Sequence, residues 1–389
     1  MPKFRASIFL IILLLAGSGC SPTTSSTPTQ PAELPPTPYP DTPAPAAIDA
    51  PLVEAPGLVT IHFLNELDGW GITETQIVRT NDGGITWYNV TPQEITEAGY
   101  KVNLSLLNKD TVWAQTPDFA NFPNSGFLFH TSDGGLTWTK TSAPFSTADI
   151  TFLDDNNGWV LADLGAGAGS NAVAVYQTTD RCASWKQTYI NDPNDSNAKD
   201  SLPLGGIKSG LTPLNMQTAW VTGVTYSSGS VYLYRTDDAG ANWALVTSLP
   251  LPPGAESAEL GSEQMRFVTA DDAFMTVHIA GAELKTAVYV SHDSGNTWSL
   301  TPTLIPSGRA ADFMSATDAV IYNGEQFYVT HDAAHTWSII PPDVAFGDTF
   351  TMMDFVNAFS GWVITQDAAN QRALYRTSDG GATWSPVIP

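Results

Sequence analysis

The sequence predicts an all-β fold, a seven-bladed β-propeller in which every blade is a four-stranded antiparallel sheet. Three observations support this prediction. A short pattern, Thr/Ser-x-Asp-x-Gly-x-Thr-Trp, returns seven times at intervals of roughly fifty residues, a period typical of repeat folds. A second pattern, Phe-x-x-x-x-x-Gly-Trp in its fullest form, precedes each copy. Charged residues make up only 14% of the chain while aromatic residues reach 11%, which suits packed sheets.

The second pattern describes strands A and B of a blade, because turn-forming residues separate its two apolar ends. The first pattern describes the turn between strands C and D. An Asp such as Asp82 can accept hydrogen bonds from the backbone N–H groups just after it, and Gly84 can adopt the left-handed conformation that the turn needs. The Trp begins strand D and covers apolar surface beside it.

We therefore expect the Asp and Trp that recur in every copy of this turn to be structural rather than catalytic. They are Asp82, Asp133, Asp180, Asp238, Asp293, Asp332 and Asp379, with Trp87, Trp138, Trp185, Trp243, Trp298, Trp337 and Trp384. Two copies lack the glycine of the pattern. Cys182 and Ala334 stand at the glycine position, and Ser184 replaces Thr, so looser turns are predicted there.

The spacings separate the two ends of the propeller. From strand A to strand B the interval is always seven residues, and from the turn Asp to the turn Trp it is always five. The A–B and C–D turns therefore define a constant end. The B–C and D–A connections differ in length from blade to blade and define a variable end, where we expect the binding face. Its largest pieces are 187–208, 244–263, 116–125 and 163–172.

The turn pattern resembles the Asp-box, or BNR, repeat of sialidases and related propellers. The combined unit, in which Arg-Thr-x-Asp-Gly-Gly-x-Thr-Trp follows the Phe-Gly-Trp pattern, more closely resembles the repeat of photosystem II assembly and stability factors; 79–87 and 376–384 carry it most clearly. That resemblance implies a non-enzymatic, extracytoplasmic propeller that holds another protein. Such family members use an arginine-rich face, whereas this chain has eight arginines in all, so only the fold and the scaffold role carry over.

The N-terminus has the pattern of a targeting segment. Lys3 and Arg5 precede an apolar run at 8–15, which is shorter than the about twenty residues of a membrane-spanning helix. The small residues before Cys20 resemble a bacterial lipobox, which implies a signal peptide over 1–19 and lipid attachment at Cys20. Gly17 stands where Leu is usual, so a plain signal peptide or an uncleaved anchor stays open. The expected location is the outer side of the cell membrane, held by lipid.

A disordered linker is predicted over 20–57 and the propeller over 58–389. Between Pro22 and Pro56 lie 11 of the 28 prolines, a composition that cannot bury enough apolar surface to fold. If Cys20 carries lipid, Cys182 has no partner for a disulfide, and its turn offers no histidine to activate it as a nucleophile.

The charge balance bears on partners. With 16 basic and 39 acidic residues the net charge is −23, which argues against a nucleic-acid partner. We expect a monomer with a protein partner at the variable end and membrane contact through the lipid alone. No metal or cofactor is expected: His331 and His335 lie in a tight turn without acidic ligands, and 192–195 lacks the glycine of a calcium loop.

An enzyme remains an alternative, either sialidase-like or another glycoside hydrolase, and a small-ligand-binding lipoprotein is a third. A sialidase needs three arginines around a substrate carboxylate. Arg79, Arg235 and Arg376 occupy equivalent positions in three blades and are interpreted as surface cations at strand ends. The trio that could cluster, on adjacent blades, is Arg266, Arg309 and Arg372. All 12 tryptophans fall on strands, which leaves none for a sugar platform on the variable loops, and no catalytic residue is assigned.

The last candidate is a ring of polar residues on strand A, one position before the apolar residue that begins each A–B pattern. We expect it at the mouth of the central channel, at the variable end, as a hydrogen-bonded plug or a ligand site, with the plug favoured. This polar ring comprises His62, Ser105, Thr151, Thr212, Arg266, Asp312 and Asp354. If a ligand binds, the place to look is the charged arc of His62, Arg266, Arg309, Asp312 and Asp354.

Overall fold

The computed structural model describes residues 48–388, and it confirms the predicted all-β propeller. Seven antiparallel blades follow one another along the chain, each with its strands hydrogen-bonded in the sequence order A, B, C, D. Within 48–388 no helix is long and apolar enough to cross a bilayer. The predicted signal peptide and the lipid-attachment residue Cys20 lie outside the described residues.

The strands of the seven blades have the following bounds. Blade one comprises β2 (Leu58–Phe63), β3 (Gly69–Thr73), β4 (Ile77–Thr80) and β5 (Trp87–Asn89), and blade two β6 (Asn103–Leu106), β7 (Val112–Pro117), β8 (Gly126–Thr131) and β9 (Thr139–Ala143). Blade three comprises β10 (Thr147–Phe152), β11 (Gly158–Gly167), β12 (Ser170–Thr178) and β13 (Lys186–Ile190), and blade four β14 (Ile207–Pro213), β15 (Ala219–Thr225), β16 (Tyr232–Thr236) and β17 (Ala244–Leu245). Blade five comprises β19 (Arg266–Phe267), β20 (Ala273–Ala280), β21 (Lys285–Ser291) and β22 (Ser299–Leu300). Blade six comprises β24 (Ala310–Phe313), β25 (Ala319–Tyr322), β26 (Phe327–Thr330) and β27 (Ser338–Ile340), and blade seven β28 (Phe350–Phe355), β29 (Gly361–Gln366), β30 (Arg372–Thr377) and β31 (Ser385–Pro386). The further elements are β1 (Leu52–Val53), β18 (Glu259–Ser262) and β23 (Ile305–Pro306), with 3-10 turns η1 (Gly99–Lys101), η2 (Phe119–Asn121) and η3 (Gly347–Thr349).

A strand precedes the first predicted strand of blade one. β1 pairs antiparallel with β5, Leu52 opposite Tyr88, and so adds a fifth strand to that blade. The predicted linker, 20–57, therefore ends too late in the sequence. A pair of residues in β1 gave no period-two pattern that could have indicated a strand.

Blades four and five share one ten-stranded sheet because β18 lies between them at the variable end. It pairs with β15 on one side, Val224 opposite Gly261, and with β20 on the other, Leu260 opposite Ile279. The sequence placed these residues in a long variable loop. Part of the predicted binding face is therefore fixed by sheet hydrogen bonds.

Aromatic stacking between blades explains the Phe-Gly-Trp pattern. The strand A residue Phe63 stacks on Trp362, which is on strand B of blade seven, with ring centroids 3.6 Å apart. In the same way Phe152 stacks on Trp113 of blade two at 3.9 Å. The strand B tryptophans are fully buried, so each blade covers the apolar face of the next.

Blade seven is complete with its own four strands, and the described part of the chain exchanges no strand across the ring closure. Side chains close the ring instead. Besides the Phe63–Trp362 stack, the Trp362 indole donates to the Gly83 carbonyl at 3.0 Å, and Arg372 pairs with Glu74 at 2.7 Å.

All seven C–D turns share one hydrogen-bond set. In blade two, Thr137 donates to Asp133 from its backbone N–H at 2.9 Å and from its hydroxyl at 2.6 Å, and the Thr131 hydroxyl donates to the same Asp at 2.8 Å. Cys182 and Ala334 adopt left-handed φ values of 67° and 64° and keep the equivalent bonds. The prediction of looser turns was wrong. The Asp carboxylate fixes the turn, and Cys182 and Ala334 adopt the left-handed conformation despite its steric cost for a residue with a Cβ.

Candidate functional site

The polar ring lies at the constant end, not at the variable end where it was predicted. Strand A runs from the variable end to the A–B turn, and His62 is the penultimate residue of β2, next to that turn. Asp312 in β24 and Asp354 in β28 have the same position. The residues were identified correctly, but the direction of the strand puts them at the opposite mouth of the channel.

Several members of the polar ring bind the backbone of the following blade. Asp312 accepts a hydrogen bond from the Phe355 N–H at 2.9 Å, and Asp354 accepts one from the Phe63 N–H. These bonds tie the strand A edges of blades six, seven and one, as the predicted plug would. Two further ties are Phe152 N–H to the Ser105 hydroxyl at 3.0 Å and the Thr212 hydroxyl to the Met265 carbonyl at 2.8 Å.

Four members of the charged arc influence one another electrostatically. Burial raises the pKa of Asp312 to about 6, against the opposing charge of Arg266. Burial and then the negative charge of Asp312 raise the pKa of Asp354 well above its ordinary value. The His62 side chain contacts solvent in the channel, but protein atoms surround it on its other sides. This burial, followed by the positive charge of Arg266, lowers the pKa of His62 to about 4. The arc thus holds an uncharged histidine beside two carboxylates that retain protons unusually well.

Arg309 does not belong to this cluster. It stands just before β24, near the variable end, where its guanidinium donates to the Gly347 carbonyl at 2.8 Å. Arg372 pairs with Glu74 of blade one, and Arg266 faces the channel carboxylates. Arg309 is therefore separate from the other four residues of the predicted arc. The three arginines on adjacent blades contact different partners and do not converge on one substrate carboxylate.

The arginines before the C–D turns bridge neighbouring blades. Arg79 is buried, pairs with Asp110 of blade two at 2.8 Å, and donates to the Gly134 carbonyl of the same blade at 3.3 Å. Its guanidinium also lies 5.9 Å from the centre of the Trp70 ring. The interpretation as a surface cation was wrong for Arg79, which joins two blades instead.

A cavity lies at the variable end, between loops of blades three and four. We call it the tyrosine cleft; its volume is about 480 Å³. Its walls come from the predicted segments 163–172 and 187–208 and from the B–C loop of blade four. The lining residues are Gly169, Pro203, Gly205, Gly206, Thr225, Tyr226, Ser227, Ser230, Tyr232, Tyr234 and Leu245. None of these tyrosines was predicted as a site residue, although three tyrosines within nine residues, 226–234, were a visible signal.

A buried lysine holds the wall of the tyrosine cleft. The Lys208 ammonium donates to the carbonyls of Asn171, Leu204 and Gly206 at 3.1, 2.9 and 3.2 Å. The Gly206 N–H in turn donates to the Gly169 carbonyl at 3.0 Å. This bond joins the connection between blades three and four to the B–C hairpin of blade three. Burial lowers the pKa of Lys208 to about 8. The cleft therefore rests on a rigid backbone support.

The glycines of the cleft allow tyrosine rings to lie directly on the backbone. Gly169 has φ of 77°, and a Cβ there would meet the Tyr226 ring at 2.7 Å; Gly206 has φ of 84° and stands in the same relation to Tyr232 at 2.8 Å. The rings of Tyr232 and Tyr234 are 4.8 Å apart. Tyr226 is 58% exposed, whereas Tyr232 is 3% exposed and its hydroxyl has no hydrogen-bond partner in the described protein.

Two smaller cavities meet at Asp149 of strand A in blade three. One, of about 220 Å³, also contacts His62 and belongs to the channel; the other, of about 260 Å³, contains Asp163. Burial and then the charge of Asp163 raise the pKa of Asp149 to about 6, although its side chain is open to solvent along the channel. Across residues 48–388 no group of three or more His, Cys, Asp and Glu side chains could hold a metal.

The two candidate sites differ in chemistry. The tyrosine cleft offers aromatic faces, hydroxyl groups and backbone, and none of its lining residues is a carboxylate, histidine or lysine. It can bind through contact and hydrogen bonding, and burial raises the pKa of its Tyr234 hydroxyl above the ordinary value. The charged arc has titratable groups, yet both of its carboxylates accept backbone hydrogen bonds within the ring. Burial raises the pKa of the Cys182 thiol to about 12, so that thiol is protonated at neutral pH.

Comparisons with known proteins agree on the fold. No protein-family model matches the chain. Over 170 residues, 39% of this chain, it is 29% identical to the xyloglucanase Xgh74A of Acetivibrio thermocellus, and the match spans 20% of that enzyme. YCF48 bound to a D1 peptide is a similar structure, with a TM-score of 0.51 and 17% identity over 84% of this chain and 95% of that one. The GH74 xyloglucanase from Xanthomonas campestris gives 0.57 and 12%, over 86% and 55%.

Proposed function

We propose that this chain is a membrane-anchored, extracytoplasmic lipoprotein whose propeller binds a protein partner at the variable end and catalyses no reaction. The tyrosine cleft carries the proposal. It is a preformed recess held by sheet and lysine contacts, and its lining provides binding surface without an acid or a base. The likeness to YCF48 bound to a D1 peptide supports a peptide-binding use of this fold.

The experiment is capture of the partner from membranes with the intact protein. Tyr226, 58% exposed in the cleft, is replaced by Ala; Ile85, 47% exposed in the C–D turn of blade one, is replaced by Ala as the matched control at the constant end. We expect the Tyr226→Ala protein to lose most of the captured partner and the Ile85→Ala protein to retain it. Loss in the control alone would place the binding face at the constant end.

A glycoside hydrolase is the second candidate, since the matching curated relatives are xyloglucanases. Hydrolysis of this kind uses two carboxyl groups, one of which keeps its proton near neutral pH. Asp312 and Asp354 are the pair whose raised pKa values fit that role. We expect no release of reducing sugar from xyloglucan and none of the fluorophore from a sialoside. Activity that disappears in the Asp354→Asn protein would establish the hydrolase and overturn the scaffold.

The anchor is tested at Cys20. The apolar run before it and the proline-rich segment after it motivate the prediction that it carries lipid. The Cys20→Ala protein should lose incorporation of labelled fatty acid and be found outside the cell or as unprocessed precursor. Cys182→Ala is the control and should be labelled like the wild type. Unchanged labelling of the Cys20→Ala protein would exclude this residue.

A further inference from the structure

We infer that the variable end of blade two docks on the lipid surface of the membrane through three exposed aromatic side chains, Tyr100, Phe119 and Phe122. We call these three residues the aromatic rim. The inference rests on the proposed function in one respect, that an anchor before the propeller holds the protein at a membrane. Membrane contact was expected through that anchor alone, and the aromatic rim adds a contact made by the folded domain.

The aromatic rim projects from the surface. Tyr100 is 75% exposed, Phe119 60% and Phe122 45%. Side chains this exposed do not line a recess that a small ligand could fill. Transfer of their rings from water to the boundary between lipid headgroups and acyl chains is favourable, and Tyr and Phe are common at that boundary in membrane-bound proteins.

A 3-10 turn holds the two phenylalanines in place. Asp118 begins η2 and accepts hydrogen bonds from the Ala120 N–H at 3.1 Å and from the Asn121 side-chain amide at 2.7 Å. Phe119 and Phe122 are three residues apart, a spacing that puts side chains on the same side of a 3-10 turn. The two rings therefore point outward together, and little further ordering is needed when they bind.

The charges around the aromatic rim favour neutral lipid. The Lys101 ammonium lies 5.5 Å from the centre of the Phe119 ring and pairs with Glu97, which brings Tyr100 and the 3-10 turn η1 beside η2. Asp118 adds a second carboxylate. One cation against two carboxylates gives no attraction to anionic lipid, and the net charge of −23 adds repulsion. A zwitterionic surface such as phosphatidylcholine fits this part of the protein.

The position of the described N-terminus favours a membrane over a soluble partner. β1 runs antiparallel to β5, so the chain before β1 comes from the variable end. There Asp49 and Ala50 lie against the connection between blades one and two, 90–102, which also carries Tyr100. A lipid on Cys20 would therefore be joined to the propeller beside the aromatic rim, and this attachment raises the local concentration of lipid there.

The test uses the full-length protein as isolated from membranes, reconstituted in phosphatidylcholine vesicles that contain a phospholipid with a photoreactive acyl chain. After illumination, mass spectrometry identifies the peptides that carry lipid. We expect lipid on the peptide that contains Tyr100 and none on the peptide that contains Ile85, at the constant end. Addition of phosphatidylglycerol should not increase the labelling of the Tyr100 peptide.

Two double variants are compared by the label on the Tyr100 peptide, which neither of them changes. The protein with Phe119→Ser and Phe122→Ser should lose this label about fivefold or more, because it lacks two apolar rings that enter the lipid. The matched control, Leu67→Ser with Ile85→Ser, changes two side chains that are each 47% exposed at the constant end, and should be labelled like the wild type.

Two measurements separate docking from folding. The melting temperature of the Phe119→Ser, Phe122→Ser protein should stay close to that of the wild type, because both side chains are exposed. Phe119→Trp keeps an aromatic ring and should retain the label. A wild-type protein without lipid on the Tyr100 peptide, or with labelling that requires anionic lipid, would overturn the inference. If lipid is absent there but the double serine variant captures less membrane protein, the aromatic rim belongs to a protein interface instead.

The outcomes also distinguish this inference from the proposed anchor. If Cys20 carries lipid and the Tyr100 peptide carries none, the anchor stands and docking by the aromatic rim is wrong. If Cys20 carries no lipid, the protein released from the cell is mixed with the same vesicles. Label on the Tyr100 peptide in that mixture would support docking while the anchor fails, and its absence would overturn both.

Discussion

At the scale of single residues, the carboxylates of the C–D turns and those of the polar ring differ in how completely they are hydrogen-bonded. Partial burial works to raise the pKa of Asp133, but hydrogen bonds from Thr137 and Thr131 outweigh it, and the pKa lies below its ordinary value. Asp354 accepts a bond from Phe63 in a confined place beside Asp312, and its pKa is raised. The carboxyl group of the turn stabilises the fold in its ionised form, whereas that of the ring stabilises the fold in its protonated form.

Replacing Asp133 with Ala should lower the free energy of unfolding by about 1 to 3 kcal/mol, because the Thr137 N–H and hydroxyl lose their acceptor. Chemical denaturation measures the change. Partner binding per folded molecule should stay the same, since the turn lies at the constant end. A variant with unchanged stability and lost binding would show that this end is functional.

The raised pKa of Asp354 makes stability depend on pH in a defined direction. The folded state holds a proton that the unfolded chain releases near pH 4, so the free energy of unfolding falls as pH rises from about 4 through the folded pKa. Asp354→Asn mimics the protonated form and keeps an acceptor for Phe63. It should raise the melting temperature at pH 7 by about 2 to 4 °C and flatten the pH dependence. Asp133→Asn should lower it. Destabilisation by Asp354→Asn would mean that the anion and Arg266 form the stable pair.

At the scale of strands and turns, the blades are joined by side chains that leave one blade and end on the next. Arg79 is the clearest case, since it lies on Trp70 of its own blade and pairs with Asp110 of the following one. Phe63 and Phe152 do the same through aromatic stacking. Each repeat is therefore stable only beside a neighbour.

Replacing Arg79 with Ala should cost about 1 to 3 kcal/mol of stability, because it removes a charge-assisted bond to Asp110 and leaves the Gly134 carbonyl without a donor. Arg181 is the matched control. It forms an exposed ion pair with Asp155, and Arg181→Ala should change stability by less than about 0.5 kcal/mol. Equal effects of the two substitutions in denaturant unfolding would contradict the bridging role of Arg79.

Sequence reasoning reached the elements that rest on local patterns. The C–D turns follow from an Asp and residues within four positions of it, and strands A and B follow from a fixed interval of seven residues. β18 was missed because four residues without a turn signal pair with β15 and β20, which lie far from it in sequence. Tyr226, Tyr232 and Tyr234 are close together in the sequence, but the cleft that they line could not be predicted, because Lys208 joins its walls through backbone carbonyls, which no side-chain pattern records.

At the scale of the whole molecule, the described residues form one ring of seven blades that carries its variable loops at one end. The region that matches this chain spans 20% of the length of the xyloglucanase Xgh74A. The two ends of the ring supply different chemistry: interblade carboxylates lie at the constant end and the tyrosine cleft at the variable end.

Because side chains alone close the ring, the architecture does not fix which blade comes first in the polypeptide. Every blade is one continuous stretch of chain, and the two ends of the propeller line one cavity, with Pro56 before blade one on one side and Val387 after blade seven on the other. A circularly permuted protein, joined from residue 388 to residue 48 by a flexible Gly-Ser linker long enough to reach the start of β1 and opened at 194–198, should still fold cooperatively. Calorimetry would show one transition. Separate transitions, or no folded product, would mean that synthesis must begin with blade one.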